Sequence, residues 1–481
     1  MKSKFFFASI KPSKNLIFSS LSPKHLSFFN SILKPNELIT DASDLPRYNI
    51  DWMDKYHGSA TLVLQPHTVS QISSILSYCN SNNLPVVPQG GNTGLVGGGT
   101  PVYDELILSL KNLNKIKAFD SNNDVLSCEA GCILQDLSVY VKDFGYDVPL
   151  DLGARGSCFI GGNLATNAGG KYFIRHGSLR GNLLGLQVVL ANGTVLNMDS
   201  GLRKDNTGYD LRQIFVGSEG TLGIITACDI ICKKKTKQQK LMVFTCDSFA
   251  KVLALHDLAK TNLNLNLSAF EYMDHNAYKI VMENIPRIIN PFPNKENGHF
   301  VSLVEIISNQ NIDQIIEGFY NIIESQKIFK DAVISENENQ FEDLWKIRES
   351  VAESCNKIGL VYKYDLSLQI DKFDELTNVI RKKTEGLAYT TGYGHIGDGN
   401  IHINVGVFDK KNNEIVEEIL EPFIFQWLRE RKGSISAEHG LGLMKGKYLN
   451  YCKSPEVIAL MKNVKTMLDP KGILNPYKVL N

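Results

Sequence analysis

A glycine-rich loop directly after a short strand limits the fold of this chain more than any other feature. Pro85–Pro88 has the pattern of a buried strand, and the next segment, Gln89–Gly99, contains six glycines in eleven residues. Without side chains, backbone N–H groups can approach an anion such as a phosphate or pyrophosphate. No Gly-Lys-Ser/Thr follows, so the loop is not a P-loop. A flexible linker is the alternative, but Asn92 and Thr93 so close to a strand favour an anion-binding loop.

Two further stretches, Asp151–Gly170 and Gly217–Thr226, are also built mainly of small residues. Such a wall lets a large flat ligand lie against backbone, although a close-packed core turn is an equal alternative for the first stretch. Between them, Leu186–Leu196 has the pattern of a hairpin, and Asn192-Gly193 predicts a type I′ turn. None of the three stretches has a Rossmann fingerprint. Three segments with exposed backbone and few side chains therefore favour a non-Rossmann site for a long cofactor.

The segment Tyr393–Val405 places two histidines around a glycine-rich turn. Residue alternation after the turn puts His402 and Asn404 on one strand face and isoleucines on the other. His395 lies just before the turn, where the chain can fold it back beside His402. Converging imidazoles suit a metal such as zinc if a third ligand is present. A hairpin with two outward polar histidines is the alternative.

Glu438 and His439 precede a second glycine-rich turn and supply the missing ligand type. Alone, a Glu-His pair is more commonly solvated than catalytic. Together with His395 and His402, Glu438 completes a two-histidine, one-carboxylate set that leaves coordination positions for a substrate. Imidazole and carboxylate also accept manganese, cobalt or iron, so the residues define the site better than the metal.

Charge and composition exclude several classes of protein. The formal net charge is zero and no long basic stripe occurs, which gives no indication of nucleic-acid binding. No apolar run is long enough for a transmembrane helix. The nine cysteines include no C-x-x-C pair, which favours a reducing compartment with mostly buried thiols. A length of 481 residues predicts two or three domains.

The first 36 residues are rich in Lys and Ser and contain no Asp or Glu. This composition is typical of a mitochondrial transit peptide, although Lys takes the place of the usual Arg. A tail without a targeting function is the alternative.

The three glycine-rich stretches, with Arg203–Asp210 and Asp469–Lys478, resemble the vanillyl-alcohol oxidase/p-cresol methylhydroxylase family. Within it, the chain from about residue 40 to its end is most similar to the FAD-linked D-2-hydroxy-acid dehydrogenase branch. The resemblance implies an α+β fold. It implies a two-lobed FAD-binding domain at 37–238, after a transit peptide at 1–36. An α+β substrate domain with an antiparallel sheet would span 239–432. A C-terminal segment at 433–481 would return to the flavin.

The resemblance also implies a set of FAD-binding residues. No His or Cys occurs between Pro85 and Asp104 to tether the flavin, so the FAD is expected to be non-covalent. The expected contacts are Pro88, Gln89, Gly90, Gly91, Asn92, Thr93, Gly94, Leu95, Gly153, Ser157, Gly161, Gly162, Thr166, Asn167, Gly169, Gly170, Glu219, Gly220, Gly223, Ile224 and Asn475.

Substrate residues follow from the same resemblance, since Arg348 and Lys363 match contacts to substrate carboxylates. Unaided, each cation is most simply a surface charge. Asn404 and His439 would also contact substrate, with His439 as general base. His395, His402 and Glu438 would bind Zn²⁺, or Mn²⁺ or Co²⁺.

The implied reaction is oxidation of D-2-hydroxyglutarate to 2-oxoglutarate, with hydride transfer to FAD N5. An electron-transfer flavoprotein in the mitochondrial matrix would be the acceptor, and a homodimer is compatible with the family. Ala352 replaces a substrate-contacting Thr common in the family, so D-lactate or another D-2-hydroxy acid is an alternative substrate. A non-catalytic flavin- or metal-binding protein is the alternative from another class.

Overall fold

The computed structural model describes residues 13–15, 17–293 and 300–480, which form two compact units. The first unit comprises the chain up to Ala168, Ser178–Lys234 and Glu438 onward. The second comprises Gly169–Gly177 and Lys235–Ala437. The domain boundaries predicted after residues 238 and 432 lie a few residues from the divisions after Lys234 and Ala437.

The first unit contains a four-stranded and a five-stranded sheet. A four-stranded sheet has the spatial order Leu38–Ile39, Val63–Leu64, Leu106–Ser109 and Val86–Gln89. Its first pair is antiparallel and the other two pairs are parallel. The second sheet is antiparallel throughout, with the order Ile116–Asp120, Val125–Glu129, Ile224–Ile231, Leu183–Val189 and Val195–Asp199. Tyr146–Asp147 and Lys233–Lys234 form a short antiparallel ribbon.

Helices pack on these sheets around a shared apolar core. The helix Val69–Ser81 begins at Thr68, whose hydroxyl accepts from the Gln71 amide at 3.2 Å and completes a capping box. Its apolar face, at Ile72, Ile75 and Leu76, is fully buried. The other α-helices of this unit are Pro23–Ile32, Pro46–Asn49, Leu134–Lys142, Ile160–Thr166, Arg212–Phe215 and Pro455–Leu468.

The amino-terminal helix Pro23–Ile32 belongs to this core. Phe29 is completely buried, and the Phe28 ring stacks on Tyr78 with centroids 3.7 Å apart. The expected transit peptide, residues 1–36, therefore overlaps a packed helix, while residues 1–12 lie outside the described part of the chain.

The second unit is built on a seven-stranded sheet in which every pairing is antiparallel. The spatial order is Asp331–Ile334, Gln238–Cys246, Phe300–Ser308, Leu267–Asp274, Ala388–His395, Asn400–Val407 and Val361–Ser367. The α-helices are Phe173–His176, Phe249–Leu263, His275–Asn284, Ile312–Ser325, Glu338–Glu349, Val351–Asn356, Phe373–Lys383, Asn413–Leu420 and Phe423–Glu430. The predicted antiparallel sheet and the α+β fold class are confirmed.

One local prediction is wrong. The hairpin Leu183–Val189/Val195–Asp199 forms where Leu186–Leu196 predicted it, but its turn is not type I′. A type I′ turn needs positive φ at both central residues. Gly193 has φ 87°, while Asn192 does not have positive φ.

None of the described helices combines the length and apolarity needed to cross a membrane.

Candidate active site

The three glycine-rich stretches line one cavity within the first unit. Gly90, Gly91 and their neighbours follow the strand Val86–Gln89 and form one wall, while the helix Ile160–Thr166 supplies another. Of the residues predicted to bind cofactor, those lining the cavity are Pro88, Gln89, Gly90, Gly91, Asn92, Thr93, Gly94, Gly161, Gly162, Thr166, Glu219, Gly220, Gly223 and Ile224.

The remaining predicted cofactor residues lie elsewhere. Ser157 lines a neighbouring cavity that shares Gly90, Gly91 and Asn92 with the first. Asn475 does not line the cavity but hydrogen-bonds two residues that do. Its Nδ2 donates to the carbonyl oxygens of Gly98 at 3.0 Å and Glu219 at 2.7 Å. Five other predicted residues are not among those that line either cavity: Leu95, Gly153, Asn167, Gly169 and Gly170. Of these, Gly169 and Gly170 belong to the second unit.

The walls of the cavity fit a large flat ligand such as FAD. A Cβ added at Gly162 would meet no other atom within 4 Å, so it would fill open space beside the helix. A Cβ at Gly91 would clash with the carbonyl oxygen of Ser157, so the loop and its neighbour can approach only because Gly91 is glycine. Asn163 Oδ1 and Thr100 Oγ1 line the cavity and are buried without a hydrogen-bond partner among the described residues. Buried polar atoms are rarely left unsatisfied, and a polar cofactor edge would satisfy them.

Glu219 fixes the turn that carries His439. Its carboxylate accepts from the backbone amides of Leu441 at 2.7 Å and Gly442 at 2.8 Å. Burial raises the pKa of Glu219, while the two amide hydrogen bonds act in the opposite direction. His439 also lines the cavity, and its Nε2 lies 3.7 Å from Glu438 Oε1. The predicted general base therefore lies at the cavity that the three glycine-rich stretches line.

In the second unit, register brings the other predicted residues onto one sheet face. Thr391, Asn404 and Lys363 are cross-strand partners in one row. The next row is Tyr393, His402 and Asp365, and the row beyond it contains Glu271 and His395. Side chains at alternate positions along each strand point to the same face, so these residues share a surface.

The two predicted metal histidines lie side by side on this face. Their ring centroids are 5.4 Å apart. His395 Nδ1 lies 2.5 Å from Glu271 Oε1, and His402 Nδ1 lies 3.8 Å from Asp365 Oδ1. Metal-binding histidines commonly donate one ring N–H to a carboxylate and bind the ion through the other nitrogen, and the His395–Glu271 contact fits that arrangement. The 3.8 Å between His402 and Asp365 is too long for a hydrogen bond. Ala437, the residue before Glu438 in the chain, donates its amide to Asp365 at 3.1 Å.

Arg348 approaches the same face from the helix Glu338–Glu349. Its Nε donates to Glu271 Oε2 at 2.8 Å, and its guanidinium lies 4.6 Å from the centre of the Tyr393 ring. The Tyr393 hydroxyl in turn accepts from Asn404 Nδ2 at 2.9 Å. Burial lowers the pKa of Lys363, so an anion beside it would favour its charged form.

Sequence reasoning missed several members of this surface. Asp365 alternates with Lys363 on one strand, and that spacing could have identified it. Glu271 and Tyr393 had no such local signal, since Glu271 is 124 residues from His395. In the first unit, Asn163 lay within a recognised stretch and only its orphaned oxygen distinguishes it from its neighbours.

Two family models match the chain. The model described as "FAD binding domain" matches residues 60–199, and "FAD linked oxidases, C-terminal domain" matches residues 235–479. The chain belongs to the FAD-linked oxidase family. Relatives from Arabidopsis thaliana, Danio rerio and Bos taurus that are 44–46% identical to it are named D-2-hydroxyglutarate dehydrogenases. The chain is an FAD-dependent D-2-hydroxy-acid dehydrogenase, as the resemblance implied.

Named relatives cover nearly the whole FAD-linked oxidase. It is 46% identical over 469 residues to "D-2-hydroxyglutarate dehydrogenase, mitochondrial" of Arabidopsis thaliana, covering 97% of this chain and 83% of the relative. It is 45% identical over 480 residues to "Probable D-2-hydroxyglutarate dehydrogenase, mitochondrial" of Oryza sativa subsp. japonica, covering 100% and 86%. Among solved structures, p-cresol methylhydroxylase matches with a TM-score of 0.73 at 14% identity, covering 95% of this chain and 96% of that one. The last match shows the fold that the resemblance predicted.

Proposed function

We propose that this chain oxidises D-2-hydroxyglutarate to 2-oxoglutarate with the help of a divalent metal. The carrying observation is the sheet face of the second unit, where Lys363 and Asn404 are cross-strand partners and Arg348 lies over Tyr393. Two cations near one surface suit a dicarboxylate better than a monocarboxylate. The names of the relatives from Arabidopsis and rice support the same substrate.

The proposal assigns a role to each of the predicted site residues. Arg348 and Lys363 bind the two carboxylates, Asn404 hydrogen-bonds the substrate, and together they fix the C2 hydrogen in one orientation. A divalent metal held by His395, His402 and Glu438, zinc or else manganese or cobalt, would lower the pKa of the C2 hydroxyl. Bound FAD supplies the acceptor for the C2 hydride. A ring nitrogen of His439 accepts the hydroxyl proton as the hydride leaves.

The route of the electrons beyond the flavin is also part of the proposal. An electron-transfer flavoprotein of the mitochondrial matrix is the proposed acceptor. Both relatives are named mitochondrial, which supports that compartment for this chain.

A second substrate is favoured by one residue. Ala352 lies in the helix Val351–Asn356, directly after the helix that carries Arg348, and offers no hydroxyl to a ligand. A smaller acid such as D-lactate needs fewer polar contacts, so D-lactate is the second candidate.

Anaerobic flavin reduction tests the proposal. Purified protein with bound FAD is mixed with D- and L-2-hydroxyglutarate and D- and L-lactate, with and without a chelator. We expect D-2-hydroxyglutarate to bleach the flavin, and chelation to stop the bleaching while FAD stays bound. In steady-state assays with an added electron acceptor, this acid should give the highest kcat/KM. An equal or higher kcat/KM for D-lactate would overturn the substrate assignment. Bleaching by none of the four acids would favour a non-catalytic flavin protein.

A further inference from the structure

The buried carboxylate of Glu271 contacts both Arg348, which binds substrate in the proposed function, and His395, which binds the metal. Glu271, in the middle of the strand Leu267–Asp274, is 1% exposed. Its Oε2 accepts from Arg348 Nε at 2.8 Å, and its Oε1 lies 2.5 Å from His395 Nδ1. Arg348 comes from the helix Glu338–Glu349 and His395 from the strand Ala388–His395, so three separate elements meet at this one side chain.

The geometry constrains both partners. Arg348 is held on one side by Glu271 and on the other by the Tyr393 ring, which orients the guanidinium plane. At His395, the short Nδ1–carboxylate contact favours the tautomer with its proton on Nδ1. That tautomer presents the lone pair of Nε2, the nitrogen through which such a histidine binds a metal.

We propose that Glu271 is a positioning residue that sets the orientation of the substrate-binding Arg348 and of the metal-binding His395 together. The proposal rests on the roles given to Arg348 and His395 in the proposed function. If so, substrate-carboxylate binding and metal binding both depend on the Glu271 carboxylate. A structural ion pair would stabilise the sheet without affecting either ligand.

Replacement by glutamine separates these possibilities. The amide of Glu271→Gln has nearly the same shape as the carboxylate but only one acceptor oxygen. Its NH₂ group must face either Arg348, a donor, or His395 Nδ1. Facing His395, it would favour the tautomer with the proton on Nε2, which cannot bind a metal through that nitrogen. Either orientation disturbs one of the two ligand-binding residues.

Glu305 provides a matched control on the same face of the sheet. It lies in the neighbouring strand Phe300–Ser308, is also 1% exposed, and its carboxylate accepts from Trp345 Nε1 at 3.0 Å. Its cross-strand partner is Ala269, and that of Glu271 is Leu303, so the two glutamates are one row apart. Glu305→Gln therefore removes a buried carboxylate that accepts from Trp345 and acts on the charge of Arg175, in place of one that contacts Arg348 and His395.

The experiment uses the full chain with bound FAD. Affinity for Zn²⁺ and Mn²⁺ is measured by chelator competition on metal-stripped protein, and KM and kcat for D-2-hydroxyglutarate are measured at saturating metal. We expect Glu271→Gln to weaken metal binding by roughly 10- to 100-fold, the usual effect of losing a carboxylate behind a ligating histidine. We also expect KM to rise more than kcat falls, because Arg348 acts in binding. Glu305→Gln should leave both quantities near the wild-type values.

Two variants keep the outcome decisive. If Glu271→Gln does not fold, Glu271→Asp retains the charge but shortens the side chain, and it should show the same two effects in weaker form. Metal affinity and KM equal to those of Glu305→Gln would overturn the positioning role, even in an active enzyme. If the wild-type protein does not oxidise D-2-hydroxyglutarate, the proposed function fails, while the metal affinities still decide the role of Glu271 at His395.

Discussion

At the scale of single residues, the two proposed carboxylate-binding cations have different surroundings. Arg348 donates to the buried Glu271 carboxylate at 2.8 Å, so it has an anionic partner within the protein. Burial lowers the pKa of Lys363, so Lys363 carries a desolvation cost that a bound anion would offset. Removal of the Lys363 charge should therefore affect the affinity for substrate more than the stability of the fold.

Lys363→Met tests this dependence. A hydrogen bond to a charged group contributes about 1.5–3 kcal/mol, so we expect KM for D-2-hydroxyglutarate to rise roughly 10- to 100-fold. The effect on D-lactate should be smaller, because lactate has one carboxylate fewer. Steady-state kinetics with both acids measure the difference, with the exposed Lys346→Met as control. Equal effects on the two substrates would show that Lys363 does not bind the second carboxylate.

The same scale shows how far single residues could be predicted. His395 and His402 are predictable neighbours because one hairpin contains both, and their ring centroids lie 5.4 Å apart. The contact between Glu271 and His395 is not predictable in this way, because it depends on the pairing of distant strands, which no local pattern contains. Tyr393 contacts Arg348 and Asn404, and no local pattern indicates either contact.

At the scale of elements, alternation predicted the faces of strands but not their neighbours. Lys363 lies on the strand Val361–Ser367. That Lys363 faces Asn404 follows from the register of this strand against Asn400–Val407, which the sequence does not encode locally. The type I′ turn failed for a related reason, since a five-residue connection with only Gly193 at positive φ serves the same hairpin.

The turn after His439 provides a prediction at this scale. Glu219 accepts two successive amides of that turn, from Leu441 and Gly442, and it does so from a backbone with φ of 53°. Each buried donor left without a partner costs about 1–3 kcal/mol. Glu219→Ala should therefore lower the free energy of unfolding by several kcal/mol and reduce the FAD retained on purification.

Glu219→Gln gives the graded comparison. Glutamine keeps one acceptor oxygen and removes the charge, so its effect should lie between wild type and alanine. Denaturant unfolding and flavin absorbance measure stability and FAD content. If alanine and glutamine had equal and small effects, the carboxylate would not hold the turn.

At the scale of the whole molecule, the predicted α+β class is confirmed, and one stretch of the chain belongs to a different compact unit than the predicted domains imply. The divisions after Lys234 and Ala437 lie a few residues from the predicted boundaries after 238 and 432. Gly169–Gly177 lies within the predicted cofactor-binding domain but belongs to the second unit, where Arg175 donates to the carbonyl of Leu265. A glycine-rich stretch shows that backbone is approached closely, and it does not show which part of the chain approaches it.

The amino terminus gives the last prediction. The composition of residues 1–36 predicts import into mitochondria, yet Phe29 is completely buried against the first unit's core. If the mature protein keeps this packing, cleavage must occur before Pro23, and terminal sequencing of the imported protein should find the new end there.

The same packing predicts the effect of a substitution. Phe29→Ala should lower the free energy of unfolding by about 3–5 kcal/mol. Ile17→Ala, at a side chain that is 61% exposed, should change it by less than about 0.5 kcal/mol. A mature protein that begins after Leu33 would show that this helix is dispensable for the folded enzyme.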